Sequence, residues 1–108
     1  MYYVYILRCR DGTLYCGTSA DWEKRIRTHF TGDARAARYT RAHPPLRPEA
    51  VWECAEKGDA LRLEYRIKQL SRPEKLALLA GERPLREEEA GLCSRLPQSA
   101  LVSRDALW

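Results

Sequence analysis

The feature that most constrains this chain is Asp11-Gly12 set between two short tyrosine-bearing runs, Tyr2-Tyr3-Val4-Tyr5-Ile6-Leu7-Arg8 and Thr13-Leu14-Tyr15-Cys16-Gly17. The first run is β-branched and aromatic with no Gly or Pro, so it reads as a strand. Asp-Gly between two such runs specifies a hairpin, because Gly12 can take the positive φ that a tight reversal requires. Loop length then decides which side chains share a face. A two-residue loop pairs Arg8 with Tyr15 and puts Tyr5 and Tyr15 on opposite faces. A three-residue loop, Arg10 to Gly12, pairs Leu7 with Tyr15 and puts both rings on one face. We favour the second arrangement, although the sequence admits both.

Asp21 is a good N-cap for a helix that meets no breaker before Gly32. Within it Trp22, Ile26 and Phe30 follow helical spacing, and Arg25 and His29, four apart, are neighbours along one edge of that apolar stripe. A rim position lets an arginine keep its stem packed while its head faces a cleft. The run from Thr31 to Pro45 is a long connection, stopped as a helix by Gly32 and the prolines. Arg35, Arg38 and Arg41 recur every three residues beside Tyr39, an arrangement suited to phosphate contacts with one ring available for a base; the plainer reading is a surface loop with a packed tyrosine. Glu49 to Glu56, centred on Trp52, is expected to be a third strand. Gly58 or Asp59 opens a helix, Ala60 to Leu70, whose core stripe is Ala60, Leu63, Ile67 and Leu70. Glu64 lies against that stripe, where a carboxylate is either tied to a nearby basic side chain or holds a cation. Ser71-Arg72-Pro73-Glu74 is a capping box opening a further helix to Ala80. Lys68, Arg72 and Lys75 are solvated charges or phosphate contacts.

These segments resemble the GIY-YIG nucleases, a family in which two tyrosine motifs lie on neighbouring strands and the next helix supplies an arginine and, four residues on, a His or Tyr. Tyr3-Val4-Tyr5 stands where Gly-Ile-Tyr would be, Tyr15-Cys16-Gly17 where Tyr-Ile-Gly would be, and Arg25 and His29 match the helix pair. Glu64 looks like the family's metal-binding glutamate. The likeness covers about residues 2 to 80 and is nearest to small stand-alone bacterial members. Tyr3 departs from the first motif's Gly, Thr18 stands where some members have a Lys, and the chain has no asparagine to match a late one in others.

The resemblance implies an α+β fold built on a small three-stranded, mixed or antiparallel sheet in the order hairpin, helix, strand, two helices. It implies a metal-dependent endonuclease acting on DNA, more than RNA, with weak sequence preference and a place in DNA repair or processing. Its catalytic residues would be Tyr5, Tyr15, Arg25, His29 and Glu64, with Glu64 holding Mg²⁺ or Mn²⁺ and Arg35, Arg38, Tyr39, Arg41 and Lys68 meeting nucleic acid. The base stays open: Tyr15 is the tyrosine favoured to orient or activate water, with Tyr5 positioning the phosphate, whereas His29 titrates nearer neutrality. The rival function is a non-catalytic nucleic-acid-binding module on the same fold. A more distant third is a protein-interaction domain using the C-terminal apolar segment.

Bulk properties agree with a nucleic-acid partner without specifying one. Of the net +4, residues 1–48 carry nine Lys or Arg against four Asp or Glu, and residues 49–108 ten against eleven, so the halves stand at +5 and −1. The basic half holds most of the candidate site. With 44% hydrophobic and 31% charged residues and no apolar run of ~20, the 108-residue chain reads as a globular, cytoplasmic protein that does not span a membrane. Cys9, Cys16, Cys54 and Cys93 form no C-x-x-C pair, which argues against zinc, and the first three are expected to be buried reduced thiols. Residues 1–81 are taken as the nuclease-like domain. Residues 82–108 are taken as an extension, with a short acidic helix from Leu85 to Leu92 and an apolar segment, Gln98 to Trp108, that docks on the domain or on a second copy as a homodimer contact.

Overall fold

The computed structural model describes residues 1–32, 36–85 and 91–101. The elements run β1 (Tyr2–Cys9), β2 (Leu14–Ser19), α1 (Trp22–Thr31), α2 (Arg38–Ala42), β3 (Pro45–Cys54), α3 (Lys57–Gln69), α4 (Arg72–Leu79) and β4 (Cys93–Arg95), followed by a 3-10 turn, Gln98–Leu101. The strands form one antiparallel sheet in the order β2-β1-β3-β4. The expected three-stranded sheet therefore gains a fourth, short strand, and no parallel pair is present among the described residues.

The hairpin closes with the three-residue loop. Gly12 is left-handed at φ 86, and Cys9 N–H donates to Thr13 O at 2.8 Å. Leu7 consequently pairs with Tyr15 and Tyr5 with Gly17, so the two rings share a face. Helix ends follow local chemistry. Asp21 Oδ1 accepts from Lys24 N–H at 3.2 Å, left-handed Gly32 closes α1, and Ser71 and Glu74 complete a reciprocal capping box at the start of α4.

Alternation along the strands makes three layers. On one face Tyr5, Leu7 and Val51 pack with Trp22 and Ile26 of α1 and with Leu101. On the other, Val4, Ile6, Ala50 and Trp52 pack with Ala60, Leu63 and Ile67 of α3 and Leu78 of α4. Each fully buried Leu or Ile here contributes about 1.5–3 kcal/mol. The edge strand β2 ends up at the seam between these two layers.

Three expectations need correction. β3 starts at Pro45 rather than Glu49: β4 pairs only with Trp52–Cys54, so at Pro45 and Pro48 one side of β3 has no strand to supply, and two register shifts against β1 absorb the prolines. α3 starts at Lys57, three residues before the Ala60 expected as its first residue. Cys54 is not a reduced thiol. β4 puts Cys93 directly opposite it, Cα to Cα 4.2 Å, and the two form a disulfide, while Cys9 and Cys16 are free and buried. The long connection also contains α2, which sequence reading left as loop. The expected acidic helix from Leu85 to Leu92 falls mostly outside the described residues. Of the apolar segment, Leu101 docks on the domain at 5% exposure, and residues 102–108 lie outside the description.

One contact fixes the hairpin's inner geometry. A Cβ added at Gly17 would lie 2.5 Å from Tyr5 Oη and 2.6 Å from Cζ, because the end of the Tyr5 ring packs against the partner strand. That ring is 1% exposed and has nowhere to swing. Gly17→Ala should therefore cost about 1–3 kcal/mol in overpacking, read as a lower urea midpoint at unchanged m-value. An unchanged midpoint would show that the ring yields freely.

Candidate active site

Alternation on β1 and β2 and the four-residue spacing on α1 bring three rings together. Tyr5 and Tyr15 lie 6.4 Å apart by centroid, Tyr5 and His29 5.6 Å, and Tyr15 and His29 5.3 Å. His29 is 1% exposed and is fully hydrogen-bonded. Its Nε2 lies 2.7 Å from Tyr5 Oη and its Nδ1 2.7 Å from Thr40 Oγ1. Thr40 Oγ1 in turn donates to Ala37 O at 3.0 Å. A hydroxyl has one proton, and here it goes to the carbonyl, so Thr40 accepts from Nδ1–H. Nε2 then carries the lone pair and Tyr5 is the donor to it. The Arg25 guanidinium lies close enough to the Tyr5 phenol to favour its ionised form against the burial. The polar order is Tyr5, His29, Thr40, Ala37, each donating to the next, with Arg25 beside its outer end.

Electrostatics follow from this burial. Desolvation pushes the Tyr5 phenol well above its usual value of 10.0, with Tyr15 adding to the rise and Arg25 opposing it. Tyr15 is also raised, first by burial; Lys68 and Arg25 pull it down, and Glu64 and Cys16 push it up. Both phenols therefore rest protonated at neutral pH. Burial, helped by Arg25, holds His29 down at about 4, so its imidazole is neutral and accepting.

Tyr15 is where the two layers meet. It feels Arg25 from the α1 layer and Glu64 and Lys68 from α3 on the opposite side. Glu64 Oε2 sits 3.4 Å from Lys68 Nζ, one turn along the same helix. Tyr5, Tyr15 and His29 are thus one hydrogen-bonded and aromatic cluster with Arg25 beside it, and Glu64 is joined to it electrostatically through Tyr15. Among the described residues no group of three or more His, Cys, Asp or Glu gathers as a metal cage. Glu64 is a single carboxylate, paired with Lys68, and one carboxylate holds at most a hydrated ion whose other positions go to water and phosphate.

Of the residues expected to meet nucleic acid, Arg38 and Arg41 are exposed on α2 and Lys68 is half-exposed, while Arg35 lies outside the described residues. Tyr39 is different from expectation. His43 stacks on it at 4.2 Å and Tyr15 at 5.6 Å, both nearly parallel, so both faces are covered and only its edge is open. His43 is held by Asp11 from the hairpin loop at 2.5 Å, and that bond, with those from Thr13, draws the Asp11 carboxyl down to about 2. Sequence reading missed Thr40 and the Asp11–His43 clasp. Gly17, part of the second motif, was the one signal available for the packing over Tyr5.

The buried neutral His29 carries a pH signature. Unfolded, it takes a proton near 6.5; folded, only near 4. Between these values the unfolded chain binds more protons, so stability should fall as pH drops from 6.5 to 4, by at most about 1.4 kcal/mol per unit. Urea midpoints across this window should slope less steeply in His29→Gln than in the parent chain. Equal slopes would mean that His29 titrates normally in the fold.

Comparison with known proteins agrees with this site. The family described as the GIY-YIG catalytic domain matches residues 1–77. A UPF0213 protein of Halalkalibacterium halodurans is 43% identical over 79 residues, covering 73% of this chain and 82% of its own length. One from Nitratidesulfovibrio vulgaris is 45% identical over 80 residues, covering 74% and 71%. A third, from Halobacterium salinarum, is 44% identical over 78 residues, covering 72% and 99%. A solution NMR structure of a UPF0213 protein from Bacillus halodurans superposes with a TM-score of 0.50 at 40% identity, over 82% of this chain and 92% of that one. With its first 77 residues matched and the paired tyrosines, arginine and histidine gathered at one sheet edge, the chain belongs to the GIY-YIG family of nuclease domains, alongside the small UPF0213 proteins.

Proposed function

We propose that the protein is a divalent-metal-dependent endonuclease that hydrolyses phosphodiester bonds in DNA, with weak sequence preference, in DNA repair or processing. The observation that carries this reading is the gathering of the Tyr5, Tyr15 and His29 rings, 5.3–6.4 Å apart by centroid, with Arg25 and Glu64 both near enough to act on Tyr15. Hydrolysis needs a positioned water and positive charge against the phosphoryl oxygens, and these groups supply both.

The roles follow from burial. The planar guanidinium of Arg25, beside Tyr5, has the shape for a forked contact with phosphate. Tyr5 is too buried to meet substrate, so it acts on the phosphate by orienting Arg25. Tyr15, half-buried at the seam, orients the attacking water. Neutral His29 keeps the Tyr5 proton directed away from Arg25, so that the phenol oxygen faces the guanidinium. Glu64 would hold Mg²⁺ or Mn²⁺, which supplies positive charge against the phosphate oxygens when bound. A domain of this size has little surface for base readout, which is the reason for weak sequence preference, and the exposed Arg38 and Arg41 add sequence-independent phosphate contacts.

The Glu64–Lys68 ion pair favours a second reading, a nucleic-acid-binding module without turnover, because the chain's own ammonium already satisfies the carboxylate. Purified protein incubated with plasmid, linear and branched DNA in Mg²⁺, Mn²⁺ or EDTA separates the two. A nuclease nicks only with the ion, and Glu64→Gln binds without cutting. A binder shifts DNA and nicks nothing. Arg25→Lys should also lose at least about 10²-fold in kcat, since an ammonium cannot reproduce the fork. Full activity in Arg25→Lys would remove Arg25 from the phosphate.

A further inference from the structure

Beside Tyr15, on the α3 side of the edge strand, lies a cavity of about 260 Å³ that no step above uses. Leu14 and Ile67 form its apolar wall, the tyrosines Tyr15 and Tyr39 its aromatic side, and Lys68 and Lys75 line it as well. Its volume is just under the ~300–1,000 Å³ range of pockets for drug-sized ligands. Lys75 has no carboxylate partner among the described residues. Lys68 is anchored to Glu64, the proposed ion ligand, which ties the cavity to the reaction centre.

We propose that this cavity is a nucleobase pocket, taking one unpaired base next to the phosphate being cut while Lys68 and Lys75 meet the flanking phosphates. The inference rests on the nuclease reading above and deepens it. A base is flat, largely apolar on its faces and joined to an anion on either side, which matches an apolar slot walled by Leu14 and Ile67, edged by the two tyrosine rings and flanked by two lysines. Continuity matters too: Tyr15 belongs both to the cluster with Arg25 and His29 and to the cavity wall, so a base seated here brings its own phosphate to that ring. A base still stacked in a duplex cannot enter. The pocket therefore selects for strands with an unpaired or easily extruded base, and unpaired positions supply it at the lowest cost.

The test uses the full chain and two DNA duplexes of one sequence, one fully paired and one carrying a single unpaired 2-aminopurine. In EDTA, binding should change the emission of the unpaired 2-aminopurine at least twofold, and Leu14→Trp, which fills the slot, should abolish the change. In Mg²⁺ the parent should cut the unpaired substrate at least tenfold faster than the paired one, and Leu14→Trp should lose that preference while still cutting the paired duplex slowly. Should Leu14→Trp fail to fold, Lys75→Glu on the cationic side tests the same preference. Cutting by the parent with no emission change, or unchanged preference in the folded variants, overturns the pocket alone. An emission change that Leu14→Trp abolishes, with no cutting by the parent in either ion, overturns the nuclease reading and leaves the pocket standing.

Discussion

The structure depends on one buried phenol. Tyr5 packs the end of its ring against Gly17 on the neighbouring strand, donates to His29 and lies beside Arg25. Any side chain at position 17 would lift the ring, and any shift in the hairpin register would send it to the other face. Backbone and chemistry are coupled through this contact, since the pairing that lets the sheet close is the pairing that points the phenol at the helix. The polar chain then runs inward to Thr40 and the Ala37 carbonyl, so no member is left unsatisfied despite near-complete burial. A satisfied buried network of this kind fixes geometry more than it adds stability.

Placement of the site at an edge strand follows from the strand order. β1 is covered on both sides by strands and on both faces by helices, so a residue at its centre is sealed. Among the described residues β2 has a strand on one side only. A ring on β2 can therefore be half-buried, touching Tyr5 and His29 on one face of the sheet while feeling Glu64 and Lys68 from the other. This division separates a sealed positioning group, Tyr5, from a group open to solvent, Tyr15, although the two are the same residue type. α2 completes the arrangement from outside, its Thr40 reaching inward and its Tyr39 lying against Tyr15.

What the sequence revealed and what it hid divide along the range of the interaction. The hairpin loop, the Asp21 cap, the Ser71 and Glu74 capping box and the Arg25 and His29 pairing are all set within four residues, and each was readable from local rules. Thr40 was not. Nothing in Ala37 to Ala42 marks one threonine as the partner of a histidine eleven positions earlier. Pro45 and Pro48 read as breakers because the sequence does not say which side of β3 lacks a neighbour. The Cys54–Cys93 bond depended on β4, three residues too short to give a periodic signal. Tyr39 was legible as an exposed ring beside arginines, but the Asp11–His43 clasp that closes its second face joins residues 32 apart.

The central claim is that His29 is a neutral imidazole with its proton on Nδ1, accepting from Tyr5 at Nε2. Nitrogen-15 NMR of the histidine ring tests it directly. His29 should show a protonated Nδ1 and an unprotonated Nε2 at neutral pH, unchanged on acidification until about pH 4. A proton on Nε2, or titration near 6.5, would contradict the account, because Tyr5 would then no longer be the donor and the polar chain from Tyr5 to Ala37 would be broken.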